Sequence, residues 1–494
     1  MEKSIFDGLA EIVGRDNISN DPVILEEYSK DFSPTAPKKP ICIVWPKGAK
    51  EIQRIIEFAK EKNLPLVPVS SGPPRFRGDT IPEKNGSVVV DLSKMKRILS
   101  IDRKNRVAMI EPGVTFSDLI PELEKHGLRL LMPLLPRPSK SVLASCLERE
   151  PITIPRYHWD SSDPLLCLEI VFGTGDIFRT GAAAGPGTLE QQKAVGQSQK
   201  NPMGPTQFDP FRIIQGSQGT MGVVTWATIK CEVLPSKKKL FFVPSDELDE
   251  LIEFTYKLLR RRLGDELFIL NDLNFAVILR KRREDIESLR EVLPQWILTL
   301  CISGFGELPE ERIEYLEGDI TDIALESGVE LKSSLAGISS LEVLDLLSKP
   351  SEEPYWKLRF GNGCYEIFFL STLDRTPEFI KITMEMATRE KFPSSNIGVY
   401  LQPMVQGCSC HCEFDLYYDS SSPVERKKAD DLFLKLGKEL INKGGFFSRP
   451  YGPLADITFS KCSPEVVMAM KKVKMIFDPA NVMNPGKLCF KVME

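Results

Sequence analysis

Three places in the sequence combine residue types with the spacing that chemistry needs. In Gly216-Ser-Gln-Gly-Thr-Met-Gly-Val-Val-Thr225 the glycines at 216, 219 and 222 leave the backbone bare enough to approach a ligand. Val223, Val224 and Thr225 then fix an extended chain. Ser70-Ser71-Gly72, directly after the apolar run Leu66–Val69, offers a second turn whose N–H groups suit an anion. Pro73 and Pro74 stiffen that turn, and Arg75 or Arg77 would add a cation. The third place is a set of arginines. Arg359 in Trp356-Lys-Leu-Arg-Phe360, and Arg449 with Tyr451 in Ser448-Arg-Pro-Tyr-Gly452, are candidate anchors for a carboxylate, with an ordinary surface position as the alternative for each.

Gly407-Cys-Ser-Cys-His-Cys-Glu-Phe-Asp415 gathers three cysteines and one of the chain's three histidines. In a strand, Cys408, Cys410 and Cys412 share one face, and His411 and Glu413 share the other. Thiols about 7 Å apart along a strand do not converge on one ion without a bend. No metal site is expected here, and His411 with Glu413 is expected to face the substrate. No Gly-x-Gly-x-x-Gly follows a strand-like run, which argues against a nicotinamide dinucleotide held in that way.

The elements that must position these residues fall into two rhythms. From residue 40 to about Leu234, apolar runs alternate with amphipathic stretches such as Lys50–Lys62, whose Ile52, Ile55, Ile56 and Ala59 share a face. Strands are expected at Ile41–Trp45, Leu66–Val69, Ser87–Leu92, Ile98–Ile101, Arg106–Ile110, Leu165–Phe172 and Ile177–Thr180, with a long loop over Gly181–Gln207. After 235 the pattern is that of an antiparallel sheet covered on one face by helices. Its strands are expected at Leu267–Leu270, Phe275–Leu279, Trp296–Phe305, Glu366–Leu370 and Gly398–Val405, and its helices near 281–292, 308–327 and 376–390. Ser463-Pro-Glu465 starts a last helix.

A chain of 494 residues implies two or three domains. The net charge of −5 gives no reason to expect nucleic acid or anionic lipid as a partner. Eleven scattered cysteines do not form a disulfide framework. No apolar run approaches the roughly 20 residues that cross a bilayer, so a cytoplasmic protein is expected, at most peripheral to a membrane through a partner.

The glycine turn, Pro68-Val-Ser-Ser-Gly-Pro-Pro74, Glu111-Pro-Gly-Val-Thr115 and Asp478-Pro-Ala-Asn-Val-Met-Asn-Pro-Gly-Lys487, in that order, resemble the FAD-linked oxidase family. That family includes vanillyl-alcohol oxidase, p-cresol methylhydroxylase and the D-lactate and glycolate dehydrogenases. The resemblance implies an α+β fold: a vanillyl-alcohol-oxidase-type FAD-binding domain over 1–236, an inserted cap over 237–445, and a return to the FAD domain over 446–494. It places FAD against Pro68, Ser70, Ser71, Gly72 and Pro73, against Ser141, Ala144 and Ser145, against Gly216, Gly219, Thr220, Gly222, Val223 and Val224, and against Asn484. Non-covalent attachment is expected, with His158 the histidine nearest to where relatives place the flavin. Asp160, or Asp163 in the hydroxy-acid branch, stands where relatives carry an aspartate near the flavin, and Tyr157 neighbours it. His411, Arg359, Arg449 and Tyr451 complete the expected catalytic set.

The activity so implied is hydride transfer from a 2-hydroxy acid such as D-lactate or glycolate to flavin N5, with electrons passed to a protein or quinone acceptor. Two alternatives stay open: a para-alkylphenol or aromatic alcohol as substrate, and a flavin-bearing electron-transfer subunit. The implied partners are a small-molecule substrate and an iron–sulfur electron-transfer protein, and a homo-oligomer stays open.

Overall fold

Residues 2–155, 164–204 and 210–491 are described by the structure, a computed structural model. The first alternating run folds as a four-stranded sheet in the order Ile18–Ser19, Cys42–Val44, Val88–Asp91, Leu66–Val69, the last three parallel. The helix Ala49–Lys62 buries Ile52, Ile55, Ile56 and Ala59, each worth about 1–3 kcal/mol of transfer free energy, and stops at Asn63 in the left-handed region (φ 52°). A second, antiparallel sheet follows the order Ile98–Asp102, Val107–Ile110, Gly222–Val233, Leu165–Phe172, Ile177–Arg179, with Leu128–Leu130 also paired to Gly222–Val233. The long strand at its centre starts where the glycine turn ends. The stretch expected as a plain loop after Thr180 carries two short helices, Gly181–Ala184 and Leu189–Ala194.

The third sheet runs Lys237–Ser245, Trp296–Gly304, Leu267–Asn271, Ile397–Met404, Ser409–Asp419, Asn362–Ser371, antiparallel at every step. The helices Leu248–Arg260, Pro309–Ser327, Thr376–Arg389 and Pro423–Asn442 pack on one face through residues such as Leu251, Ile320, Phe379 and Leu432. Alternation along Ser409–Asp419 sends Cys410, Cys412, Phe414 and Leu416 into that core. His411, Glu413, Asp415 and Tyr417 therefore take the opposite face. Cys408 precedes the strand and is exposed, so only two of the three cysteines share the buried face.

One expected strand is a helix. Phe275–Leu279 lies within the helix Asp272–Leu279, whose residues Leu273 to Ile278 are all buried. Burial on every side removes the 3.6-residue polarity signal by which a helix is recognised. Asn271 decides the matter: its Oδ1 accepts from the N–H of Asn274 (3.1 Å) and of Val399 (2.9 Å), which caps the helix and ties it to the sheet.

The chain then returns. Phe447 and Leu454 still pack with the third sheet, whereas Met470, Val473, Phe477, Leu488 and Phe490 pack on the second. Residues 482–484 cover the open edge of Leu66–Val69: Leu66 N–H donates to Val482 O and Asn484 N–H to Leu66 O, both at 2.7 Å. Buried Lys474 donates to Thr220 O and to Met483 O (2.8 Å) and pairs with Asp478. No helix among the described residues is long and apolar enough to cross a membrane.

Candidate functional site

The turns after Leu66–Val69 and before Gly222–Val233 face the third sheet across one cleft. Its unfilled space, open mouth included, is about 1560 Å³, above the ≈300–1,000 Å³ usual for a small-molecule pocket, so a long two-part ligand has room. One arm is walled by Pro68, Ser70, Ser71 and Ala144, and by Gly216, Gly219, Gly222, Val223 and Val224. Among the described residues the backbone N–H groups of Ser70 and Ser71 have no protein acceptor, which leaves them for an anion.

The other sequence-chosen residues of this arm hold the turns and do not line the cleft. Gly72 N–H donates to Ser139 O (3.0 Å), and Pro73 O accepts from Ser139 Oγ (2.9 Å). Ser141 Oγ donates to Pro112 O (2.6 Å) and accepts from Ala144 N–H (3.0 Å). Ser145 Oγ binds Glu150 (2.7 Å), and Thr220 Oγ1 binds Ser217 O (2.7 Å). Asn484 Nδ2 donates to Gln218 O (2.7 Å) and Asp79 O (3.1 Å). The glycines are set by packing as much as by ligand approach. Gly219 has φ +70°, and a Cβ there would lie 2.8 Å from Pro68; a Cβ at Gly222 would lie 2.3 Å from Val171 O. Arg75 stays by the serine turn, Nε to Ser71 O at 3.2 Å, with its guanidinium 4.5 Å from the Tyr28 ring centre. Arg77 does not serve an anion there: it pairs with Glu148, Glu150 (2.7 Å) and Glu366 (3.5 Å).

The facing wall is a buried charge cluster. Lys357 Nζ lies 2.7 Å from Glu366, 3.0 Å from Asp415, and in contact with Glu413. Oxygens of the three carboxylates approach within 4.8 Å of one another, a donor set that suits a divalent ion, but the ammonium already sits among them. Burial opposes the Lys357 charge, yet Asp415, Glu366 and Glu413 hold its pKa well above the ordinary value. For Glu413, burial raises the pKa but Lys357 and His411 overcome it and pull it below the usual carboxylate range. Burial pushes Asp415 up to about 7 despite Lys357.

The expected catalytic residues divide. Arg449 and Tyr451 line the cleft, as do Lys357, Glu366, Glu413 and Tyr400, of which the sequence had marked only Glu413. His411 does not reach the cleft. It lies behind Glu413, Nε2 to Oε2 at 2.9 Å, between the rings of Phe368 and Tyr400, and burial lowers its pKa despite Glu413. Arg359 is not a substrate anchor: its guanidinium donates to the carbonyls of Pro354 (2.9 Å), Ile278 (2.9 Å) and Glu352 (2.8 Å), where it ties one loop to a helix. Asp160, with Tyr157, His158 and Asp163, lies outside the described residues.

Arg449 differs from every other cation of the site. It is 6% exposed, it has no ion pair among the described residues, and its Nη1 has no hydrogen-bond partner. Its guanidinium lies 4.5 Å from the Phe368 ring centre, and burial, with Arg77 nearby, lowers its pKa. Its loop hangs from the opposite arm: Arg149 Nη2 donates to Ser448 O and Gln218 Nε2 to Pro450 O, both at 2.8 Å. One arm thus offers bare backbone to an anionic nucleotide, and the other offers a waiting guanidinium beside an ionised carboxylate.

Comparison with known proteins agrees with that division. The family described as "FAD binding domain" matches residues 40–181, and "FAD linked oxidases, C-terminal domain" matches 410–488. Glycolate oxidase subunit GlcD of Bacillus subtilis (strain 168) is 25% identical over 508 residues, covering 99% of this chain and 97% of that protein. The mitochondrial D-lactate dehydrogenase [cytochrome] of Arabidopsis thaliana is 21% identical over 457 residues, 91% of this chain and 73% of its own. In three dimensions the chain is similar to 4-ethylphenol oxidase from Gulosibacter chungangensis, solved with isoeugenol: TM-score 0.85, 20% identity, 99% and 97% of the two chains covered. The cofactor of the glycine- and serine-lined arm is FAD.

Proposed function

The chain belongs to the FAD-linked oxidoreductases, and from that premise we propose that it oxidises a 2-hydroxy acid of the D-lactate or glycolate kind. Residues 1–236 and 446–494 would form the cofactor unit and 237–445 the cap. The observation that carries the reading is Arg449, a buried guanidinium on the cleft wall with no carboxylate of its own. A buried unpaired cation is costly unless a ligand neutralises it, and a fork of N–H donors suits a carboxylate.

Bound FAD supplies the acceptor for the C–H hydrogen and its electron pair. Arg449 holds the substrate carboxylate, and the Tyr451 hydroxyl offers a further donor at the same end of the cleft. Glu413, kept ionised by Lys357 and fixed by His411, takes the hydroxyl proton, and a 2-keto acid leaves. His411 is in this scheme a positioning residue. Attachment of FAD without a covalent bond fits the placement of His411 behind Glu413 and of His126 at a helix end. Electrons would pass on to a protein or quinone acceptor; an iron–sulfur protein is the partner we favour, because the GlcD relative is by its name a subunit. A para-alkylphenol is the second reading, favoured by the aromatic wall of Phe76, Tyr355 and Tyr400 and by a Tyr451–Arg449 pair that would hold a phenolate equally well.

Anaerobic mixing of the FAD-loaded protein with D-lactate, glycolate or 4-cresol tests both. Bleaching by a hydroxy acid supports the first reading, and bleaching by 4-cresol alone replaces it with the second. Arg449→Met is expected to lower kcat/KM for the acid about a hundredfold, ~2.7 kcal/mol at 1.36 kcal/mol per decade; an unchanged value would remove the anchor from the scheme.

A further inference from the structure

Behind the anion anchor lies a second cavity that the oxidation of glycolate or lactate leaves unused. Its unfilled space is about 430 Å³, walled by Pro34, Tyr365, Phe433, Phe447, Pro453 and Leu454. Phe76, Arg77, Glu366, Arg449 and Tyr451 line both this chamber and the main cleft, and so form the partition between them. The partition is a stack: Arg77 and Arg449 lie 5.2 and 4.5 Å from the centre of the Phe368 ring, and Phe368 meets Tyr451 edge-on at 6.1 Å. Three buried polar atoms on these walls, Thr35 Oγ1, Arg449 Nη1 and Glu366 Oε2, have no hydrogen-bond partner.

An acid whose carboxylate binds Arg449 sits at this partition. Glycolate carries no side chain and lactate only a methyl group, so neither fills an aromatic chamber. We propose that the chamber receives the substrate's side chain and that the substrate is a 2-hydroxy acid bearing an aromatic ring. The inference rests on the 2-hydroxy-acid reading above and narrows it. Aromatic walls favour a ring by edge and offset contacts, and the apolar area removed from water gives discrimination against small acids. The chamber thus sets specificity, while Arg449 and Glu413 serve any acid of the class.

The test uses the FAD-loaded full chain under anaerobic conditions, with flavin reduction by 3-phenyllactate and mandelate compared with D-lactate and glycolate. An advantage in kcat/KM of the order of a hundredfold for an aryl acid is expected. Thr35→Met, which narrows the chamber, should cut that advantage at least ~10-fold relative to the small acids. Equal rates for aryl and small acids would overturn the chamber proposal and leave the reaction standing. If no hydroxy acid bleaches the flavin, the reaction itself is wrong, and binding then decides the chamber. Phenylpyruvate should quench tryptophan fluorescence with an affinity at least ~10-fold tighter than pyruvate, and equal affinities overturn the proposal.

Discussion

A lysine ammonium held by three carboxylates does at Lys357 what a divalent ion would do at the same place. Removing it as Lys357→Met leaves Glu366, Glu413 and Asp415 facing one another without a cation. The variant is expected to lose about 3–5 kcal/mol of stability and to bind Mn²⁺, with its melting temperature raised by the ion and lowered again by chelator. Native protein in the same titration should show no such response; a variant indifferent to Mn²⁺ would argue against the stand-in role. His411 carries a second prediction. Burial keeps its pKa below the ordinary 6.5 in the folded chain, so the unfolded chain takes up a proton that the folded one refuses. Stability from this group is therefore full above about pH 6.5 and declines as pH falls, by at most ~1.4 kcal/mol per pH unit. Asp415, pushed up to about 7, works in the other sense between roughly pH 4 and 7. The difference between native protein and His411→Gln in denaturant titrations from pH 5 to 8 isolates the histidine. At this scale the sequence was a partial guide. Arg449 and Tyr451 were legible because their types matched the task. Lys357 was passed over for Arg359, two positions on, since nothing in Trp356-Lys-Leu-Arg tells which cation a short 3₁₀ turn aims at the sheet.

Elements were legible where one face is wet. Ser409–Asp419 could be divided into a core face and a cleft face by alternation alone, and the helices after residue 280 were found within two or three residues. Asp272–Leu279 failed for the opposite reason: the sheet surrounds it, so its apolar run has no period. The usable signal was Asn271, a capping residue placed just before the run. Asn271→Ala removes the bonds to Asn274, Val399 and Ile397. At ~1 kcal/mol each it should cost about 3 kcal/mol in chemical denaturation; a loss under ~1 kcal/mol would mean that packing alone holds the helix. The turns of the cofactor arm were readable because left-handed backbone at Gly216 and Gly219 restricts which residues fit.

For the molecule as a whole, four motifs spread along the chain carried the family resemblance, but not how its far end is fastened. Lys474 is the fastening: one ammonium joins the helix Pro464–Phe477 to Thr220 O of the glycine turn and to Met483 O of the edge strand's partner. Lys474→Met leaves Asp478 buried without its cation and is expected to cost about 3–5 kcal/mol. It should also lower the ratio of flavin absorbance to protein absorbance after purification; a full flavin load would show that the turn keeps its shape unaided. Lys487 meets Gly78 across 409 positions of sequence, and residues 482–484 close the edge of Leu66–Val69 across a similar span. During synthesis that strand therefore leaves the ribosome with a bare hydrogen-bonding edge, and it keeps it while the whole cap is being made. Such an edge is a template for pairing with another chain. A nascent molecule stalled or cleaved inside the cap would carry both the open edge and an unbraced glycine turn, and chaperones would meet it as a sticky, flavin-free fragment.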